Sequence, residues 1–155
     1  AADEAIPFIL DGGGARSDFR LNKLAKVDIF SPNEIETALI TGIRPDTLDD
    51  CLRASMAICS QTDVRYVVLK LGARGCYVYD GKYCDLIAPF VVQAVDTTAA
   101  GDAFTAALAT EFLRTGDITA SARYANAVGA LTVTTAGAIH SLPTRETVRR
   151  FLEQI

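Results

Sequence analysis

The stretch VDIFSPNEIETALITG, residues 27–42, changes its pattern halfway. Residues 27–30 read as a short strand buried in a sheet, and Ser31-Pro32 stop it. Residues 34–41 then follow helical periodicity, and Gly42 ends the helix. The same alternation recurs on either side. Upstream, residues 6–10 read as a strand that empties into Asp11 and three glycines, and residues 21–24 as a helical turn. Downstream, Asp46 or Thr47 caps a helix in which Leu48, Cys51, Leu52 and Met56 recur at helical spacing. Residues 66–71 form the clearest strand, leading into GARG at 72–75. Residues 76–79 and 83–87 flank Asp80-Gly81 as a hairpin, and 91–95 read as one more strand. Helices are predicted over 101–114, over 118–133 behind the cap Asp117, and over 144–153 behind Pro143.

Strands separated by helix-length segments imply crossover connections. The expected fold class is therefore α/β, a three-layer sandwich with a mostly parallel central sheet, the hairpin being a local antiparallel excursion. Ligands on such sheets sit beyond the carboxyl ends of the strands. The loops at 11–15, 31–36, 72–75 and 96–102 leave strands on that side and are expected to line one crevice. No repeat or linker divides the chain, so one domain is expected over residues 1–155.

Half of the chain is hydrophobic and its formal net charge is −4. No basic stripe exists to neutralise phosphates, so neither nucleic acid nor a membrane surface is an expected partner. A small molecule fits better. Cys51, Cys59, Cys76 and Cys84 show no C-x-x-C spacing and lie in apolar surroundings, which predicts buried free thiols and a reducing compartment. Neither a membrane-length apolar run nor a signal-type leader is present, and a cytoplasmic location is expected. The opening AADEAIPFILD lacks an initiator Met and begins as if inside a helix, so an N-terminal portion is expected to be missing.

DTTAAGDAFTAALA, residues 96–109, places Asp102 at the mouth of a helix. If the helix begins near Gly101, its unpaired amides and positive dipole end form a site for an anion, and Gly101 lets the backbone come close. A carboxylate beside a bound phosphoryl group can accept a proton from an incoming hydroxyl. Spacing alone favours a simpler reading, in which Asp96 ends a strand and Asp102 complements the helix dipole.

Four segments alter that balance. DTTAAGD resembles the D-T-x-[GA]-A-G-D signature of ribokinase-like carbohydrate kinases, with VQAV before it and AFTAAL after it. SPNEIETALITG resembles the family's N-x-x-E segment, VVLKLGARG its strand and nucleotide loop, and TTAGAIHSLP its late cation loop. All four stand in the family's order and at about its spacing. The match covers the second half of such kinases, without the N-terminal sugar-binding glycine segment or the small lid sheet.

The resemblance implies a ribokinase-like fold and roles for particular residues. Asp102 resembles the base that deprotonates the sugar hydroxyl, and the amides around Ala99, Ala100 and Gly101 the anion hole for the transferring phosphoryl group. Ala99 stands where many members have glycine. Asn33 and Glu36 are implied to meet the phosphates and, through water, Mg²⁺, which keeps several waters of its own. Read without the other motifs, they are a helix-start Asn and a solvated Glu. Lys70, Gly72, Ala73, Arg74 and Gly75 resemble the loop that passes the nucleotide, although Lys70 occupies a position that is often threonine. Asn126 falls where members place a residue near the adenine, or it faces solvent in mid-helix. Asp96, Thr98, Thr132, Thr135, Gly137 and Ser141 match the K⁺ loop, mostly through carbonyls suited to a hard cation. The plain alternative is a helix end with Gly137 as a turn residue.

The implied activity is ATP-dependent phosphorylation of a sugar hydroxyl. Ribose is the first expected acceptor; fructose, another sugar or a nucleoside are rivals, as is a fragment that holds nucleotide without transferring. ATP, Mg²⁺ and K⁺ are the implied cofactors, and the family's lid commonly pairs subunits, implying a homodimer. Two weaker patterns lead elsewhere. FILDGGGARS has Gly12 and Gly14 after a strand, yet Ser17 stands in place of a third glycine, so a turn lining the crevice is expected rather than a dinucleotide fingerprint. His140, the only histidine, lacks a nucleophile in any recognisable hydrolase motif.

Overall fold

The structure is a computed structural model that describes residues 6–14, 19–23 and 26–154. The chain divides into two compact units. The first runs to Gly72 and resumes over Cys76–Leu86; the second comprises Ala73–Gly75 and the chain from Ile87 onward.

The first unit is built on a mixed sheet. Its strands, in both chain and spatial order, are β1 (Ile9–Asp11), β2 (Val27–Ser31), β3 (Val64–Lys70), β4 (Cys76–Tyr79) and β5 (Cys84–Ile87). β1, β2 and β3 run parallel, and β4 turns back antiparallel to β3. β2 and β3 are joined through helices, as a βαβ unit requires: α1 (Glu34–Thr41) and α2 (Leu48–Cys59) lie between them. Thr47, rather than Asp46, caps α2, exchanging hydrogen bonds with Asp50 in a capping box. Phe30, Val67 and Leu69 pack with Leu21, Cys51 and Ile58 into one apolar core. The predicted turn at 21–24 is a 3-10 turn over Leu21–Lys23; Leu24 lies outside the described residues, as do the helical start expected before Ile6 and Ser17.

The second unit is helical. α3 (Ala100–Thr115), α4 (Ile118–Thr132) and α5 (Arg145–Glu153) match the predicted helices to within a residue or two. Asp117 caps α4 by accepting from the amide of Ala120, and Thr144 caps α5. Among the described residues, no helix is long and apolar enough to cross a membrane.

Three expectations fail. The strand expected over residues 6–10 is confined to Ile9–Asp11, and Ile6 is 60% exposed. Residues 91–95 are not a strand: Val91 and Val95 are 98% and 65% exposed, and the amides of Val95 and Asp96 donate to the carbonyl of Val133 just past α4. Valines favour extended backbone, but a strand exists only where a neighbour accepts its ladder. The four thiols are free, yet only Cys51 and Cys76 are buried; Cys59 is half-buried and Cys84 exposed. Cys84 opens β5, whose first three residues are all exposed.

Candidate functional site

In the first unit, the carboxyl ends of the parallel strands carry the polar groups. β2 ends at Ser31, Pro32 follows, and Asn33 sits in extended backbone as the N-cap of α1. The Asn33 side-chain oxygen accepts the amide of Glu36 at 2.9 Å, and Glu36 Oε2 accepts the amide of Asn33 at 2.7 Å. This reciprocal box explains why the helix starts here. It also holds Glu36 half-buried, not solvated, and leaves its second carboxylate oxygen without a hydrogen-bond partner among the described residues. Gly12 makes the arrangement fit, because a Cβ there would stand 2.5 Å from Glu36 Oε2 and 3.0 Å from Pro32 Cα.

Lys70 closes β3. Its backbone bridges to Asn33 and its amide donates to the Pro32 carbonyl at 2.9 Å. Its ammonium lies 2.7 Å from Asp11 Oδ2, at the end of β1. Sequence reasoning missed Asp11. The one available signal was that it closes a predicted strand ahead of the glycines.

Gly72–Arg74 form a 3-10 turn, with Gly72, Ala73 and Arg74 exposed. In the second unit, Gly75 is buried with φ of +88°, and a Cβ there would fall 2.2 Å from the Ile87 carbonyl oxygen. Only glycine permits that approach. Asn126 is 8% exposed on α4, and its side-chain amide donates to the carbonyls of Ile87 and Ala88, each at 3.1 Å. It therefore does not face solvent: it clamps the backbone against which Gly75 packs.

The entrance to α3 is unusual. Ala99 stands at the N-cap with φ of 61°, the single non-glycine residue in the left-handed region among those described, and no side chain caps the helix. The Ala100 amide reaches Thr97 O at 3.3 Å, and Ala103 donates to Ala99 O at 2.9 Å. The amides of Gly101 and Asp102 meet no acceptor among the described residues. The Asp102 carboxylate is exposed in the first turn and is not spent on capping. Two unmet donors, a helix dipole and an adjacent base can bind an anion and take up a proton beside it.

The loop that would serve the monovalent cation is stapled to that entrance. Asp96 Oδ1 accepts the Thr98 amide at 2.9 Å and Oδ2 the Gly137 amide at 2.8 Å. These bonds, that from Gly137 foremost, pull the Asp96 carboxyl down to about 2. Thr132 is buried at the end of α4, its hydroxyl donating to Val128 O, and buried Ser141 donates to Ala138 O. The Thr135 amide reaches Thr132 O at 3.4 Å. The oxygens left for a cation are chiefly carbonyls on irregular backbone, which suits a hard monovalent ion. Among the described residues, no group of three or more His, Cys, Asp or Glu could hold a metal ion. His140 is exposed.

The structure thus gathers Asn33, Glu36 and Lys70 in the first unit, which also holds Gly72. The second unit carries the 96–102 entrance with its cation loop, and Gly75 with Asn126.

Comparison with known proteins adds an independent line. Residues 5–145 match the pfkB family of carbohydrate kinases. A ribokinase of Arabidopsis thaliana is 36% identical over 151 residues, covering 96% of this chain and 39% of that protein. Fructokinase-1 of Zea mays is 35% identical over 136 residues, covering 83% of this chain and 41% of that protein. The structure of Arabidopsis thaliana ribokinase complexed with ribose and ATP superposes with a TM-score of 0.88 at 34% identity, covering 97% of this chain and 49% of that one. The chain spans less than half the length of these relatives.

Proposed function

From the premise that the chain belongs to the pfkB family of carbohydrate kinases, we propose that it is the nucleotide-binding and catalytic portion of an ATP-dependent sugar kinase. The remainder of the intact protein supplies the sugar-binding half and the lid, through which two subunits pair, and the enzyme works in the cytoplasm. The observation that carries this reading is the uncapped entrance of α3, with unmet amides at Gly101 and Asp102 beside an exposed carboxylate. The Asp102 carboxylate takes the proton of a primary sugar hydroxyl as that oxygen attacks the γ-phosphorus of ATP and ADP departs. Phosphoryl transfer is largely dissociative, so catalysis rests chiefly on positioning and charge stabilisation. The anion hole lies around Ala99, Ala100 and Gly101, where the unmet amides of Gly101 and Asp102 hold the equatorial oxygens as their charge develops.

Asn33 and Glu36 would serve the phosphates and, through water, Mg²⁺. That ion, when bound, supplies charge neutralisation on the phosphates. Lys70, Gly72, Ala73, Arg74 and Gly75 line the nucleotide's path, and Asn126 supports it. Carbonyls near Thr98, Thr132, Thr135, Gly137 and Ser141, with Asp96, would hold K⁺, which would supply positive charge beside the anion loop. Ribose is the proposed acceptor; the similarity to a fructokinase makes fructose the next to try. In the intact protein, Asp102→Asn is expected to abolish ADP formation in the presence of ribose while ATP binding, measured by calorimetry, survives. Unchanged turnover would remove Asp102 as the base, and an acceptor panel assigns the sugar.

A further inference from the structure

Three side chains at the carboxyl edge of the first unit's sheet form an arrangement that the capping box and the backbone bridges leave unexplained. Asp11 closes β1, Ser31 closes β2 and Lys70 closes β3. Asp11 stands opposite Ser31 in the parallel register, which places both side chains on one face of the sheet. The Lys70 ammonium meets Asp11 Oδ2 at 2.7 Å, so the ion pair spans β2 from one neighbour to the other. The Lys70 side chain is only 11% exposed, while the Asp11 side chain is 29% exposed and also accepts the Gly13 amide through Oδ1 at 2.8 Å. The Ser31 hydroxyl is wholly buried and has no hydrogen-bond partner among the described residues. A lysine has four flexible carbons, and holding its head group over a strand end costs side-chain entropy that a fixed carboxylate offsets. An unsatisfied hydroxyl at the same end marks a place where a polar group is still owed.

We propose that Asp11 is a positioning residue. By reaching across the end of β2 it fixes the Lys70 ammonium at the carboxyl edge of the sheet, where that ammonium receives the terminal phosphates of the nucleotide. This rests on the nucleotide-binding reading above. The backbone bridge from Lys70 to Asn33 places the lysine next to the residue assigned to the phosphates. Asp11 touches no ligand itself; it acts through Lys70.

The test is calorimetric binding of ATP and of adenosine to the intact protein, in Asp11→Asn, Lys70→Met, their combination and Lys70→Arg. Asp11→Asn and Lys70→Met are each expected to weaken ATP by about tenfold or more, the range of a lost charge-assisted contact. Adenosine, which lacks phosphates, is expected to bind within about twofold of the parent, which a general loss of structure would not allow. The double variant is expected to bind ATP no more weakly than Lys70→Met, and Lys70→Arg to retain most of the affinity. Additive losses, an equal loss of adenosine, or tighter ATP binding by Asp11→Asn would overturn the proposal. The last would mean that the carboxylate competes with phosphate for the ammonium. A parent protein that binds no ATP overturns the nucleotide reading, and this one with it. A parent that binds ATP while Asp11→Asn is unaffected overturns this one alone.

Discussion

The amide of Gly137 donates to Asp96 Oδ2 at 2.8 Å, joining two loops that lie 41 residues apart in the chain. Asp96 also fastens its own loop through the Thr98 amide, so a single carboxylate orders the approach to α3 and the turn after α4. This bond has a pH signature.

The Asp96 carboxyl titrates at about 2 in the fold, against an ordinary 3.8. Between these values the unfolded chain takes up a proton that the folded loop refuses, so stability falls as pH falls. The contribution is complete above 3.8 and gone below about 2. Chemical unfolding followed from pH 5 downward is expected to show a shallower loss through this window in Asp96→Asn than in the parent. Parallel curves would show that the bond does not stabilise the fold.

Ala99 holds a left-handed conformation at a cost of about 1–2 kcal/mol for a residue with a Cβ. Ala99→Gly removes that cost and returns part of it as entropy of the unfolded chain, for a net gain of up to about 1 kcal/mol. In thermal unfolding this is a rise of about 2–4 °C. Ala99→Val, with a branched Cβ, is expected to move the transition the other way.

Gly12→Ala sets a methyl group against Glu36 Oε2 and the backbone of Pro32. Overpacking of this kind costs about 1–3 kcal/mol, read from urea titration. Because the carboxylate of Glu36 is the nearest obstacle, the cost is expected to shrink when Glu36→Ala is already present. An undiminished cost would assign the strain to Pro32 alone.

Asn126→Ala leaves the Ile87 and Ala88 carbonyls without their donor, a loss of about 1–3 kcal/mol in denaturant unfolding. Asn126→Asp is expected to be worse, since a carboxylate oxygen then faces two carbonyl oxygens. Weaker nucleotide binding should accompany both. Nucleotide affinity that survives intact would separate Asn126 from the ligand altogether.

Much of this molecule was legible from the chain alone wherever bonds span only a few residues. Asn33 with Glu36, Thr47 with Asp50, and Asp117 each mark a helix start because the cap bonds close within three positions. The Asp80-Gly81 hairpin, the sheet's parallel run and the resemblance of four ordered segments followed from equally local patterns. Tertiary structure alone decided the rest. Residues 91–95 have the composition of a strand but, among the described residues, no neighbour that accepts its ladder. Ala99 is forced left-handed by the chain around it, against its own preference. Lys70 finds Asp11 across 59 residues, and Asn126 finds the Ile87 carbonyl across 39. Short-range order is written in neighbouring residues because their dihedrals fix it directly. A contact between distant residues exists only once the whole chain has brought them together.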